Sequence, residues 1–151
     1  MYIDVDQIKV LSRKFLQQMN HTGHFELDVS IVGPTKMRSL NRQYRQIDAP
    51  TDVLSFPISD LSPSLVSGHL SQVNSHQFPV ILGSIVICPK IVAHRAKHGR
   101  YSIDHRSGQT DLNRYIMYVL VHGLMHLIGF DHGTDASEAQ FNHKISTFFS
   151  E

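Results

Sequence analysis

The sequence is poor in two residue types that often hold small proteins together. Tryptophan is absent, and cysteine occurs once, at Cys88. A single cysteine excludes an internal disulfide and any cysteine-rich zinc site. It is weakly typical of the reducing cytoplasm, so we expect a cytoplasmic location. The core must instead come from aliphatic side chains, eight phenylalanines and five tyrosines.

Long apolar runs are also missing. The longest useful one, from Ile116 to Ile128, is interrupted by histidines and is too short to span a bilayer. The first ten residues, MYIDVDQIKV, contain no basic region followed by an apolar one, so we expect no signal peptide and no membrane partner. With 151 residues, 41% of them apolar, the chain predicts a single domain spanning residues 1–151.

The net charge is only +1, but its distribution is uneven. Four basic residues and no acidic one lie from Gly33 to Ile47, and five basic residues with one acid lie from Lys90 to Arg106. A basic face on a neutral protein fits a phosphate backbone, although an ordinary solvated helix surface explains such runs as well. The candidate RNA-binding residues are Arg38, Arg42, Lys90 and Arg95.

Hydrophobic periodicity predicts an α+β domain. The predicted strands are Met1–Val5, Phe25–Val32, Val53–Phe56 and Val80–Cys88, with a bend at Gly83; the predicted helices run from Asp6 as cap to Met19, from Thr35 as cap to Tyr44, from Pro89 to His98, from Thr110 to Ile128, and from Asp135 onward. We expect a small mixed four-stranded sheet packed against about five or six helices. The helix from Thr110 to Ile128 is apolar around most of its circumference, so it should be central and buried. Ile58 to Phe78 is predicted to be a long loop.

Three histidines lie close together in VHGLMHLIGFDH, with the spacing H-x3-H-x5-H. In a helix, His122 and His126 are i, i+4 neighbours on one face. Gly129 can end the helix with a positive φ, which lets His132 return as a third ligand. Three nitrogen ligands with an open fourth position are typical of catalytic zinc, so we expect one Zn²⁺ per chain, although other divalent transition metals also suit. Asp131 either fixes a ligand imidazole through a hydrogen bond or caps the turn.

The histidine spacing matches the metzincin protease pattern H-E-x-x-H-x-x-G-x-x-H at every histidine and at the glycine. The helix that carries the metal ligands is therefore predicted to be zincin-like. Where a protease has its general-base glutamate, this chain has Gly123. Gly123 argues against peptidase chemistry and leaves open a base from elsewhere in the chain.

Several segments together resemble the YbeY family of bacterial rRNA maturation factors. The residues that carry the resemblance are HGLMHLIGFDH, the preceding PTDVLSFP (Pro50 to Pro57) and LNRQYR (Leu40 to Arg45), and the strand LGSIVIC (Leu82 to Cys88). The family strand usually reads LGD, and Ser84 replaces that acid here.

The resemblance implies a zinc-dependent, single-strand-specific endoribonuclease that acts in 16S rRNA 3′-end maturation and ribosome quality control. It places the metal ligands at His122, His126 and His132, and the catalytic residues at Arg45 and His122. The implied partners are ribosomal RNA and ribosomal subunits, with ribosomal proteins or a GTPase as further partners. Two alternatives stay open: a metalloprotease-like hydrolase, and a non-catalytic ribosome-assembly factor that contains zinc.

Overall fold

The computed structural model describes residues 4–21, 23–58, 79–101, 112–130 and 135–150, and within these ranges it contains five helices and three strands. In chain order the elements are α1 (Val5–Gln18), β1 (Phe25–Ile31), α2 (Pro34–Arg45), β2 (Val53–Pro57), β3 (Val80–Ile87), α3 (Pro89–Lys97), α4 (Leu112–Leu127) and α5 (Asp135–Ser150). The predicted α+β class and helix number are confirmed for this part of the chain. None of these helices is long and apolar enough to cross a bilayer.

The sheet has the strand order β1-β3-β2, so β3 is central. β1 runs parallel to β3, and β2 runs antiparallel to it, which makes the sheet mixed. The β1–β3 register shifts between Glu26 and Leu27, and Gly83 of β3 lies opposite Leu27 with a φ of +127°. A Cβ at Gly83 would collide with the carbonyl oxygen of Phe56, so this position requires glycine. The predicted irregularity at Gly83 is confirmed.

Helix α4 forms the centre of the core. It packs on β2 and β3 and also contacts α1, α3 and α5. Its buried residues are Tyr115, Ile116, Tyr118, Val119, Leu120, Val121, Gly123, Leu124, Met125 and Leu127. A helix buried around most of its circumference is held by several neighbours at once, so side chains on it keep a fixed position.

The N-terminal prediction is wrong where the structure describes it. Val5 begins α1 instead of ending a strand, and the N-cap is Asp4, not Asp6. The Asp4 carboxylate accepts hydrogen bonds from the backbone amides of Asp6 and Gln7, at 2.9 and 3.4 Å. This satisfies amides that the first turn of a helix leaves unpaired. Residues 1–3 lie outside the described ranges, so the described sheet has three strands and the predicted fourth is not confirmed.

Other element boundaries differ by a residue or two. Helix α2 begins at Pro34 with Gly33 as its N-cap, and no side chain caps it, so Thr35 does not have the predicted capping role. Proline suits the first turn because it has no amide hydrogen to leave unpaired. The predicted loop from Ile58 to Phe78 falls on residues 59–78, which lie outside the described part of the chain, as do Thr110 and Asp111 before α4.

Candidate active site

A histidine pair projects from α4 as the sequence predicts. The Nε2 atoms of His122 and His126 lie 3.2 Å apart, and both side chains are half-buried. Phe141 of α5 packs against the two rings, with centroid distances of 4.7 Å to His122 and 5.2 Å to His126. Because Phe141 is buried and belongs to a second helix, it restricts the rotation of both imidazoles.

The spacing of the pair suits a single metal ion. Two nitrogens bound to one tetrahedral zinc at about 2.0–2.1 Å lie about 3.3 Å apart, close to the observed Nε2–Nε2 distance. In the described ranges, no group of three or more His, Cys, Asp or Glu side chains is arranged to hold a metal. The predicted third ligand, His132, and its neighbour Asp131 lie outside those ranges.

The end of α4 has the geometry that the glycine predicts. Gly129 has a φ of +92°, its amide donates to the carbonyl of His126 at 3.0 Å, and the Phe130 amide donates to Met125 at 2.9 Å. These two bonds form a Schellman motif, which ends a helix and reverses the chain. Helix α4 therefore ends directly after the histidine pair, as the sequence predicts.

Both histidines lie in a cleft of about 870 Å³ between α4, β2 and the end of α2. Arg45, the last residue of α2, lines the same cleft with an exposed side chain. No described residue accepts a hydrogen bond from its guanidinium. Asn41, one turn earlier, donates to the carbonyl of Ala49 at 2.7 Å and holds the turn after α2 against the helix. The structure thus brings together Arg45, His122 and His126, three of the residues that the sequence predicts to be functional.

A buried carboxylate organises the opposite wall of the cleft. Asp52 is 6% exposed, and its carboxylate accepts from the Thr51 hydroxyl, the Val53 amide, Arg95 and Tyr101. The Arg95 bond is 2.7 Å and the Tyr101 bond is 2.8 Å. Burial, followed by the charge and hydrogen bond of Asp52, raises the pKa of Tyr101 well above its ordinary range. The Tyr101 hydroxyl therefore stays protonated and keeps donating.

Sequence reasoning did not assign Asp52 or Tyr101. The hydrogen bond between them joins residues 49 positions apart, and no local sequence pattern predicts it. The available signal was the acid of PTDVLSFP, which stands directly before a predicted strand. Tyr101 also lies beside Tyr118 of α4, with ring centroids 5.5 Å apart, so the Asp52 network contacts the helix that carries the histidines.

The four predicted RNA-binding residues occupy different environments. Arg95 lines the cleft, but its positive charge is neutralised by an ion pair with Asp52. Arg38 donates two hydrogen bonds to Asp48, at 2.7 and 2.8 Å, and this pairing lowers the pKa of the Asp48 carboxyl. Arg42 and Lys90 are exposed and do not line the cleft.

Gly123 lies where α4 contacts the sheet. A Cβ at this position would lie 3.0 Å from two side-chain carbons of Ile85 and 3.1 Å from the Ser55 hydroxyl oxygen. Close packing of helix on sheet therefore explains the glycine. A glutamate side chain at position 123 would need Ile85 and Ser55 to move.

Comparison with known proteins agrees with the resemblance seen in the sequence. A family model described as Endoribonuclease YbeY matches residues 2–151. Endoribonuclease YbeY of Acidothermus cellulolyticus is 31% identical over 141 residues, covering 91% of this chain and 78% of that protein. Its counterpart in Finegoldia magna is 32% identical over 136 residues, covering 90% and 74%.

A solved structure is similar in fold. The solution structure of TM1509 from Thermotoga maritima has a TM-score of 0.54 at 20% identity, covering 97% of this chain and 81% of that one. At this identity the likeness supports the fold alone, and the family match over nearly the whole sequence carries the assignment. The chain belongs to the endoribonuclease YbeY family.

Proposed function

We propose that this protein is a metal-dependent endoribonuclease that cleaves phosphodiester bonds in single-stranded ribosomal RNA. The observation that carries the proposal is the cleft shared by the histidine pair and Arg45. The proposal also includes a role in 16S rRNA 3′-end maturation and ribosome quality control, and a cytoplasmic location. The proposed partners are ribosomal subunits, with a ribosomal protein or a GTPase. Family membership supports the nuclease activity.

The residues present fit a zinc ion. His122 and His126 would supply two nitrogen ligands, and His132 is the proposed third, in a zincin-like arrangement on a central helix. Other divalent transition metals suit the same donors. When bound, the ion supplies Lewis-acid chemistry: it neutralises charge that develops on a phosphate and makes water more acidic. Asp131 is proposed to orient a ligand imidazole.

Arg45 is proposed as the catalytic cation. Its planar guanidinium can bind two oxygens of one phosphate, and the negative charge on those oxygens grows as phosphorus becomes pentavalent. Its position at the end of α2 leaves the side chain exposed to the cleft, without a carboxylate partner among the described residues. An uncompensated guanidinium at this place in the cleft would stabilise the transition state more than the bound substrate, which would increase kcat.

The packing of Gly123 weighs against the alternative of a peptidase. A metzincin glutamate at this position would have to take a proton from water, and Ile85 and Ser55 occupy the space beside position 123. Phosphate chemistry with a cationic side chain needs no glutamate there.

Two variants test the proposal against a matched control. His122→Ala should lose both metal and RNA cleavage, measured by elemental analysis and by a gel assay on single-stranded RNA. Arg45→Gln should keep the metal and lose about 10²–10³-fold in kcat, the range found when one preorganised donor to a transition state is removed. Lys36→Gln removes one positive charge from the exposed surface of α2 outside the cleft and should cleave normally.

Two results would contradict the proposal. One is full cleavage by a metal-free His122→Ala preparation shown to contain no other nuclease. The other is a wild-type protein that binds ribosomal subunits and supports rRNA processing without cleaving RNA, which would favour the non-catalytic assembly factor.

A further inference from the structure

Arg100 lines the same cleft as Arg45 and the histidine pair. Its side chain is exposed. Within the described ranges it makes no ion pair or hydrogen bond through its guanidinium. It is one of three arginines in the cleft lining, with Arg45 and Arg95.

The backbone on both sides of Arg100 is fixed. α3 ends at Lys97, Gly99 takes a φ of +64°, and the Arg100 amide donates to the carbonyl of Arg95 at 3.2 Å. The next residue, Tyr101, is 9% exposed and is held by its bond to Asp52. The backbone of Arg100 therefore has a fixed position, although its guanidinium is exposed to solvent.

Arg100 and Arg95 differ in whether an acidic residue neutralises their charge. Asp52 is the only acidic residue among those that line the described cleft, and it pairs with Arg95 at 2.7 Å. Among the residues that the structure describes, no carboxylate therefore compensates the positive charge of Arg45 or Arg100. Two guanidiniums along one cleft suit a ligand with more than one phosphate, as in a nucleic-acid strand.

We propose that Arg100 binds a second phosphate of the RNA strand, adjacent to the phosphate at which Arg45 acts. The inference rests on the proposed function and assigns to Arg100 the backbone contact that the sequence suggested for Arg95. A contact away from the reacting phosphate strengthens binding of substrate and transition state alike. Loss of Arg100 should therefore raise KM and leave kcat nearly unchanged, whereas loss of Arg45 should lower kcat.

The experiment measures binding of a fluorescent single-stranded RNA oligonucleotide by anisotropy at several salt concentrations, with its integrity checked on a gel. Arg100→Gln should bind about tenfold more weakly, the effect of losing one charge-assisted contact. The slope of log affinity against log salt should also fall by about 0.7, the value for one phosphate of a single strand. Lys97→Gln is the matched control, since Lys97 is exposed on the same segment but does not line the cleft.

Arg100→Lys keeps the charge and removes the planar fork. It should retain the salt slope and lose part of the affinity, which separates an effect of charge from one of folding. Equal binding by Arg100→Gln and Lys97→Gln, with wild-type cleavage and the Arg45→Gln defect intact, would overturn this inference alone. A wild-type protein that neither binds nor cleaves single-stranded RNA would overturn the proposed function as well.

Discussion

Replacing Asp52 with alanine should destabilise the fold strongly, although the residue lies at the edge of a cleft. The substitution removes the acceptor for four hydrogen bonds, two of them from the side chains of Arg95 and Tyr101. Tyr101 is 9% exposed, so its hydroxyl would lose its partner inside the protein. The Arg95 side chain is 39% exposed and would be partly solvated by water.

The exposed fractions of Tyr101 and Arg95 determine how much free energy of unfolding the substitution should cost. Breaking a fully buried ion pair costs about 3–5 kcal/mol, and an unsatisfied buried donor costs about 1–3 kcal/mol. Since water screens part of the Arg95 charge, we expect about 3 kcal/mol for Asp52→Ala. For a chain of this size that loss lowers the melting temperature by roughly 6–12 °C. Asp52→Asn keeps one acceptor and nearly the same shape, so it should cost about 1–2 kcal/mol.

The assay is urea unfolding of both variants, with Asp48→Ala as control. Asp48 also pairs closely with an arginine, Arg38, but both side chains of that pair are more than half exposed. Solvent screening should make the loss of Asp48 much less costly than the loss of Asp52. If Asp52→Ala and Asp48→Ala unfold at the same urea concentration, the Asp52 network does not hold this wall of the cleft.

Three further predictions concern packing and pH. Gly123→Ala should lower the free energy of unfolding, because overpacking against Ile85, about 1–3 kcal/mol, outweighs the helix-propensity gain of about 1 kcal/mol; a more stable variant in urea would contradict this. The pKa of Tyr101 is raised above its ordinary 10.0, so its contribution to the free energy of unfolding should be complete below pH 10. Above pH 10 this contribution should decline by about 1.4 kcal/mol per pH unit. In alkaline unfolding, Tyr101→Phe should therefore lose stability less steeply than the wild type. Burial lowers the pKa of His21 below 6.5, so its contribution to the free energy of unfolding should be present above pH 6.5 and lost as the pH falls. If His21→Gln and the wild type show the same pH dependence in acid unfolding, this prediction is refuted.

The parts of the fold that local patterns determine could be predicted from the sequence. The apolar stripe of α4 predicts a buried central helix, and the spacing of His122 and His126 predicts a shared face. Gly83 and Gly129 mark an irregular strand and a helix end, since both need a backbone conformation that other residues rarely adopt. These features depend on a few neighbouring residues.

The parts that depend on distant partners could not be predicted. Basic residues from Lys90 onward look alike in the sequence, but Arg95 lies within reach of Asp52 and Arg100 does not pair with it. The position of α3, which brings Arg95 to 2.7 Å from Asp52, decides which arginine is neutralised. The N-terminal error has a local cause: Asp4 and Asp6 are both able to cap a helix, and the sequence pattern does not choose between them.

A metal held by the histidines of α4 is proposed to support RNA cleavage. The most direct test is metal analysis of protein purified without a metal-affinity column, paired with an RNA cleavage assay on the same sample before chelation, after chelation and after zinc is restored. We predict one zinc ion per chain, loss of cleavage on chelation and recovery on restoration. Undiminished cleavage by the metal-free protein would contradict the account.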